Sequence, residues 1–225
     1  MLYLVYFLII LIVPLIAQAR VRGAFRKYSE VYSTSGMTGA QVARRILDSN
    51  GLYDVAVEET PGTLSDHYDP RTKTVRLSTN NYYGQSVAGT AVASHEVGHA
   101  IQDAKNYTFM RFRHALVPVA NIGSNMSWVF IMIGLFAGLT NMLLLGIVLM
   151  AAGVLFQLIT LPVEFDASSR AMKQISSLGI VDHDEEKYAR KVLNAAALTY
   201  VAAAAVAVSE LVRLILIYTG MQRND

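Results

Sequence analysis

Residues 93–104 read ASHEVGHAIQDA, and they place two histidines and a glutamate in the middle of a chain that is otherwise mostly apolar. On a helix, residues four apart are neighbours on one face, so His95 and His99 can offer their imidazoles to one ion. The surrounding pattern predicts that helix from about Ser86 to Lys105, and Val97-Gly98 between the histidines lets it pack closely against a neighbour. Chance would produce H-E-x-x-H in well under ~1 chain in 100. Zinc suits such a site, because His nitrogens and a carboxylate oxygen fill three tetrahedral positions and leave the fourth open. The ion lowers the pKa of a bound water toward ~7 and polarises a carbonyl, while Glu96, beside the first ligand, can take the proton and later deliver it to a leaving amine. That is the chemistry of amide hydrolysis.

The rest of the chain sets this helix in a membrane protein. Of 225 residues, 53% are hydrophobic and only 16% charged, too apolar for an ordinary soluble domain. Cysteine is absent, so a metal site must be built from His, Asp and Glu. A net charge of +2 gives no sign of a nucleic-acid partner. Residues 1–19 carry no charge and are long enough to cross a bilayer as a first transmembrane helix. The basic residues Arg20, Arg22, Arg26 and Lys27 follow this run instead of preceding it, which argues against a cleaved signal peptide. A second uncharged run, 115–163, predicts a hairpin of two spans turning near Gly138-Leu139-Thr140-Asn141. Residues 192–220 form a weaker fourth span, with Glu210 and Arg213 one turn apart as an ion pair near the interface or facing the bundle. Lys and Arg concentrate between 20 and 113 and between 170 and 191. The positive-inside bias therefore places 20–114 and 164–191 on the cytoplasmic side of the plasma membrane, with both termini outside.

Segment 20–114 is long enough for a compact domain. Thr38 is expected to cap a helix over 39–49 that Asn50-Gly51 stops, with Val42, Ile46 and Leu47 on one face. Asp54–Glu58 alternates as a strand, Asp69-Pro70 turns the chain, and Thr74–Ser78 reads as a second strand. The polar stretch NNYYGQ reads as a loop before the H-E-x-x-H helix.

Two ligands rarely make a catalytic zinc site, so a third is required. His67, His114 and His183 are the remaining histidines, and Glu164 stands out in LPVEFDASSRA (161–171), directly after the third span and at the start of a helix expected over 164–191. The plain alternative is an ordinary carboxylate at a span end.

Four blocks in order, LSDHYDPRTKTVRLS (64–78), ASHEVGHAIQDA, LPVEFDASSRA and VLNAAALTYVAAA (192–204), resemble the membrane-bound neutral zinc metallopeptidases of the YugP type along nearly the whole chain. More distantly the chain is similar to HtpX-like gluzincins, whose E-x-x-A-D block implies Glu164 as third ligand. Ala167 matches that block, but Ser168 stands where those proteins have Asp. Because a metal-bound His usually donates its other N–H to a carboxylate or carbonyl, Asp103 and Asp166 are the candidates to replace it. The resemblance also implies that Thr74–Ser78 is an exposed edge strand that pairs with an extended substrate. His114, His183 and Tyr200 carry donors suited to an oxyanion.

The sequence thus predicts an α-helical membrane protein with about four transmembrane helices and a small α+β zincin-like, minimal gluzincin catalytic domain. It is read as a zinc endopeptidase with His95, His99 and Glu164 on the metal and Glu96 as general base. Its expected partners are protein or peptide substrates at or in the bilayer, and no nucleic acid. The rival is a zinc-binding membrane adaptor or scaffold without hydrolysis, in which Glu96→Gln changes nothing. A small transporter using Glu210 and Arg213 is a third possibility, and it leaves the polar domain without a purpose.

Overall fold

A computed structural model describes residues 2–222. Its elements run α1 (Leu2–Ser29), α2 (Gly39–Ser49), β1 (Ala56–Thr60), β2 (His67–Asp69), β3 (Thr74–Ser78), α3 (Thr79–Tyr83), α4 (Val87–Ala104), α5 (Thr108–Ala137), α6 (Thr140–Ser177) and α7 (His183–Gln222). The chain divides into two compact units, one of residues 1–16, 111–162 and 200–225, the other of residues 17–110 and 163–199.

In the second unit, local signals in the sequence become elements with identifiable causes. Thr38 caps α2 with a reciprocal pair of hydrogen bonds: its hydroxyl accepts from Gln41 N at 3.3 Å, and the Gln41 side chain accepts from Thr38 N at 2.9 Å. Val42, Ala43, Ile46 and Leu47 on its inner face are fully buried, and Gly51, with φ +73°, lets the chain leave the helix. Each large aliphatic side chain buried in this way stabilises the fold by about 1.5–3 kcal/mol. Ser86 caps α4 by accepting from Gly89 N at 3.1 Å. Val97, Ala100 and Ile101 of that helix share a core with Val75 and Leu77 of β3 and with Ala171 and Ile175 of α6.

The three strands order as β1-β3-β2, with β3 parallel to β1 and antiparallel to β2. This corrects the expectation that Thr74–Ser78 is an edge. β3 is central, bonded on both sides, and four of its five residues are buried. The strand that covers it, His67–Asp69, is three residues long and so lacks any readable alternation. Asp69 turns the chain back by accepting from Arg71 N at 3.0 Å. The stretch read as a loop starts with a short helix, α3. Asp66 anchors the region, its carboxylate accepting from Ser78 N at 2.8 Å and from Asn81 Nδ2 at 3.0 Å. The segment 164–191, expected as one helix, is broken at residues 178–182. Gly179 has φ +59°, and the Asp182 carboxylate caps the next helix by accepting from Asp184 N and Glu185 N.

The first unit is built only from helical segments. Among the described residues, four helices are long and apolar enough to cross a membrane: Tyr6–Ser29, Thr108–Ala137, Thr140–Ser177 and His183–Gln222. The predicted turn between the middle two is present, with Gly138 at φ +68° and α6 beginning at Thr140. Close packing of α5 on α6 depends on glycine, since a Cβ at Gly134 would lie 2.5 Å from Leu143 N. Glu210 and Arg213 do pair, and Tyr6 completes the cluster by donating its hydroxyl to Glu210 beneath the Arg213 guanidinium. Large apolar side chains such as Phe7, Ile122 and Trp128 point outward, as lipid-facing residues do.

Candidate metal centre

His95 and His99 project from the same face of α4, their ring centroids 4.7 Å apart and their planes at 82°. Glu164 comes from α6, where its side chain is 3% exposed. The two helices meet at Gly98, whose missing Cβ would lie only 2.5 Å from the Ala167 carbonyl oxygen. The glycine between the histidines therefore permits the approach that brings the Glu164 carboxylate to them.

The donor atoms fit a zinc ion. His95 Nε2 lies 3.3 Å and His99 Nε2 3.6 Å from Glu164 Oε2, and the ligand atoms of all three residues fall within 4.8 Å of one another. Bond lengths of ~2.0–2.2 Å at a tetrahedral angle require donor separations of about 3.3–3.5 Å, so these distances are close to two edges of such a tetrahedron. Among the described residues His67, His114 and His183 join no comparable group. His67 is exposed and held by the Ser65 carbonyl.

Electrostatics favour a cation at the same point. Burial alone would raise the pKa of the Glu164 carboxyl, yet the two imidazoles hold it well below the usual carboxylate range. Burial alone would lower the His99 pKa, but the Glu164 and Glu96 carboxylates raise it. The raised His99 value reflects surroundings that stabilise positive charge there, and the lowered Glu164 value keeps that carboxylate ionised beside it. Glu96, 8% exposed, lies on the same helix beside the first imidazole and accepts no hydrogen bond among the described residues.

The outer partners differ from those expected. Neither Asp103 nor Asp166 touches a histidine: Asp103 accepts from the Tyr68 hydroxyl, and Asp166 accepts from Gln102 Nε2 and from Arg170 Nε. Ser168, standing where distant relatives have Asp, itself meets His95 Nδ1 at 3.1 Å. Gln102 meets His99 Nδ1 at 3.0 Å. Its position three residues after His99, on the same helix face, is the signal in the sequence that points to it.

Comparison with known proteins agrees with this donor set. A family described as "Putative neutral zinc metallopeptidase" matches residues 3–219. The chain is 52% identical over 209 residues to a Bacillus subtilis (strain 168) protein named "Putative membrane protease YugP", covering 92% of this chain and 93% of that protein. No solved structure gives a significant match. Matched along nearly its whole length and carrying a donor set suited to zinc, this chain belongs to the neutral zinc metallopeptidase family.

Proposed function

We propose that the chain is an integral-membrane zinc endopeptidase whose minimal zincin-like domain carries the H-E-x-x-H helix α4 and receives its third ligand from α6. The observation that carries this is the approach of His95 Nε2, His99 Nε2 and Glu164 Oε2 at near-tetrahedral spacing. Zinc bound there supplies Lewis acidity, polarising a peptide carbonyl and acidifying water. His95, His99 and Glu164 would hold the ion. Glu96 takes the proton from the attacking water and passes it to the nitrogen of the departing amine.

Substrates are proteins in or beside the bilayer, since the same chain carries four apolar helices. With β3 enclosed, an extended peptide would add to the free side of β2, which Tyr68 ties to Asp103 one turn past His99. The distribution of Lys and Arg supports a site on the cytoplasmic face of the plasma membrane. Tags at both termini should then be protease-accessible from outside, and two cytoplasmic tags would reject that orientation.

The functional test is hydrolysis of an unfolded protein by wild type and Glu96→Gln in detergent, with zinc content measured on both. Loss of cleavage with zinc retained supports the peptidase and its base together. Equal cleavage by the two would remove Glu96 from the chemistry, and zinc without cleavage in either would favour the scaffold.

A further inference from the structure

Gln102 is fully buried, and every hydrogen-bonding group of its amide is engaged. Its Nε2 donates at 2.8 Å to the Val163 carbonyl oxygen and at 2.8 Å to Asp166 Oδ2. A carbonyl and an ionised carboxylate can only accept, so both N–H bonds are used and the orientation of the amide is fixed. The reversed amide would set its oxygen against two acceptors. Oε1 therefore faces His99 Nδ1, and an amide oxygen cannot donate. The proton of His99 must sit on Nδ1, which leaves the lone pair on Nε2, the atom 3.6 Å from Glu164 Oε2.

We infer that Gln102 is a positioning residue, fixing the tautomer of His99 and tying that ligand to the stretch of α6 that bears Glu164. The inference rests on the zinc reading above. Arg170 Nε extends the chain by donating to the Asp166 oxygen that receives the amide, so His99, Gln102, Asp166 and Arg170 form one oriented series across two helices. His95 is held differently. Its Nδ1 faces the Ser168 hydroxyl, which can donate or accept and so selects no tautomer. One ligand is locked and the other is adjustable.

The test uses the full-length protein in detergent, with zinc affinity measured by competition against a fluorescent chelator and thermal unfolding measured on the metal-free form. Gln102→Leu is expected to weaken zinc binding 10- to 100-fold, the range for loss of an outer partner of a metal-bound histidine. A strut that merely joins two helices would lower the unfolding temperature and leave zinc affinity alone, and that result overturns the inference. If Gln102→Leu prevents folding, Gln102→Met is measured in its place. Nitrogen-15 NMR of labelled histidine in zinc-loaded wild type gives a readout free of any change at position 102. His99 should show a protonated Nδ1, and a metal-bound Nδ1 would refute the assignment. Unchanged zinc affinity in His99→Ala would mean instead that the zinc reading itself has failed.

Discussion

Replacing Gly98 by alanine puts one methyl group where two ligand-bearing helices touch. Its Cβ would lie 2.5 Å from the Ala167 carbonyl oxygen, 3.1 Å from Ala167 C and 3.2 Å from Ala167 Cα, all of them backbone atoms that cannot rotate away. Restoring an ordinary contact requires α6 to retreat by about 0.5–0.9 Å. Glu164 is three residues before Ala167 on the same helix, so its carboxylate moves with the backbone. The 3.3 and 3.6 Å separations from the imidazoles would open to about 4 Å and beyond, wider than the ~3.3–3.5 Å that a tetrahedral zinc site spans. Overpacking of this kind costs about 1–3 kcal/mol, offset by the ~1 kcal/mol that alanine gains over glycine within a helix. The expected outcome is a small net loss of stability with a disproportionate loss of zinc affinity, on the order of tenfold or more. Chelator competition and thermal unfolding measure the two separately. Gly220→Ala, at a helical position with nothing within 4 Å, is the control and should leave zinc binding unchanged. Wild-type zinc affinity and unfolding temperature in Gly98→Ala would refute the reasoning, because the close approach would then have no bearing on the site.

Two further outcomes follow from the same geometry. The raised His99 pKa stabilises the metal-free protein below the ordinary histidine value of 6.5, and that contribution is lost as pH rises through the raised value. The lowered Glu164 pKa stabilises it above the ordinary 4.5 and is lost as pH falls through the lowered value. Metal-free protein should therefore unfold at lower temperature at about pH 9 than at about pH 6, whereas zinc-loaded protein should reverse that order because bound imidazoles must be unprotonated. Identical trends with and without chelator would contradict this. Ser168→Ala should weaken zinc binding less than Gln102→Leu does, since a hydroxyl of either polarity constrains His95 less than the fixed amide constrains His99. Chelator competition on the two variants decides the order.

Much of the fold was legible in the sequence because local signals agreed with tertiary demands. Thr38, Ser86 and Gly138 act where expected, and α2, β3 and α4 lie within a residue or two of their predicted bounds. What could not be read was set by contacts distant in sequence. β2 is too short to show a period, so the enclosure of β3 was invisible, and with it the true edges of the sheet. The uncharged run stops at Val163, but α6 continues beyond it, through Pro162, to Ser177. A proline removes one hydrogen bond and bends a helix without having to end it. Within the site, the grouping of His95, His99 and Glu164 was readable because metal chemistry restricts residue type and spacing. Their outer partners were not, because an amide or a hydroxyl can do what a carboxylate does once packing fixes its direction, as Gln102 and Ser168 show.

The most direct measurement is zinc-edge X-ray absorption on the purified protein, wild type beside Glu164→Ala, with zinc content determined on both. One zinc per chain is expected in wild type, in a shell of only nitrogen and oxygen at ~2.0–2.2 Å with the outer scattering of two imidazoles, and markedly weaker zinc retention when Glu164 is removed. Full retention with an unchanged shell in Glu164→Ala, or a wild-type shell without two imidazoles, would contradict the metal centre on which the function rests.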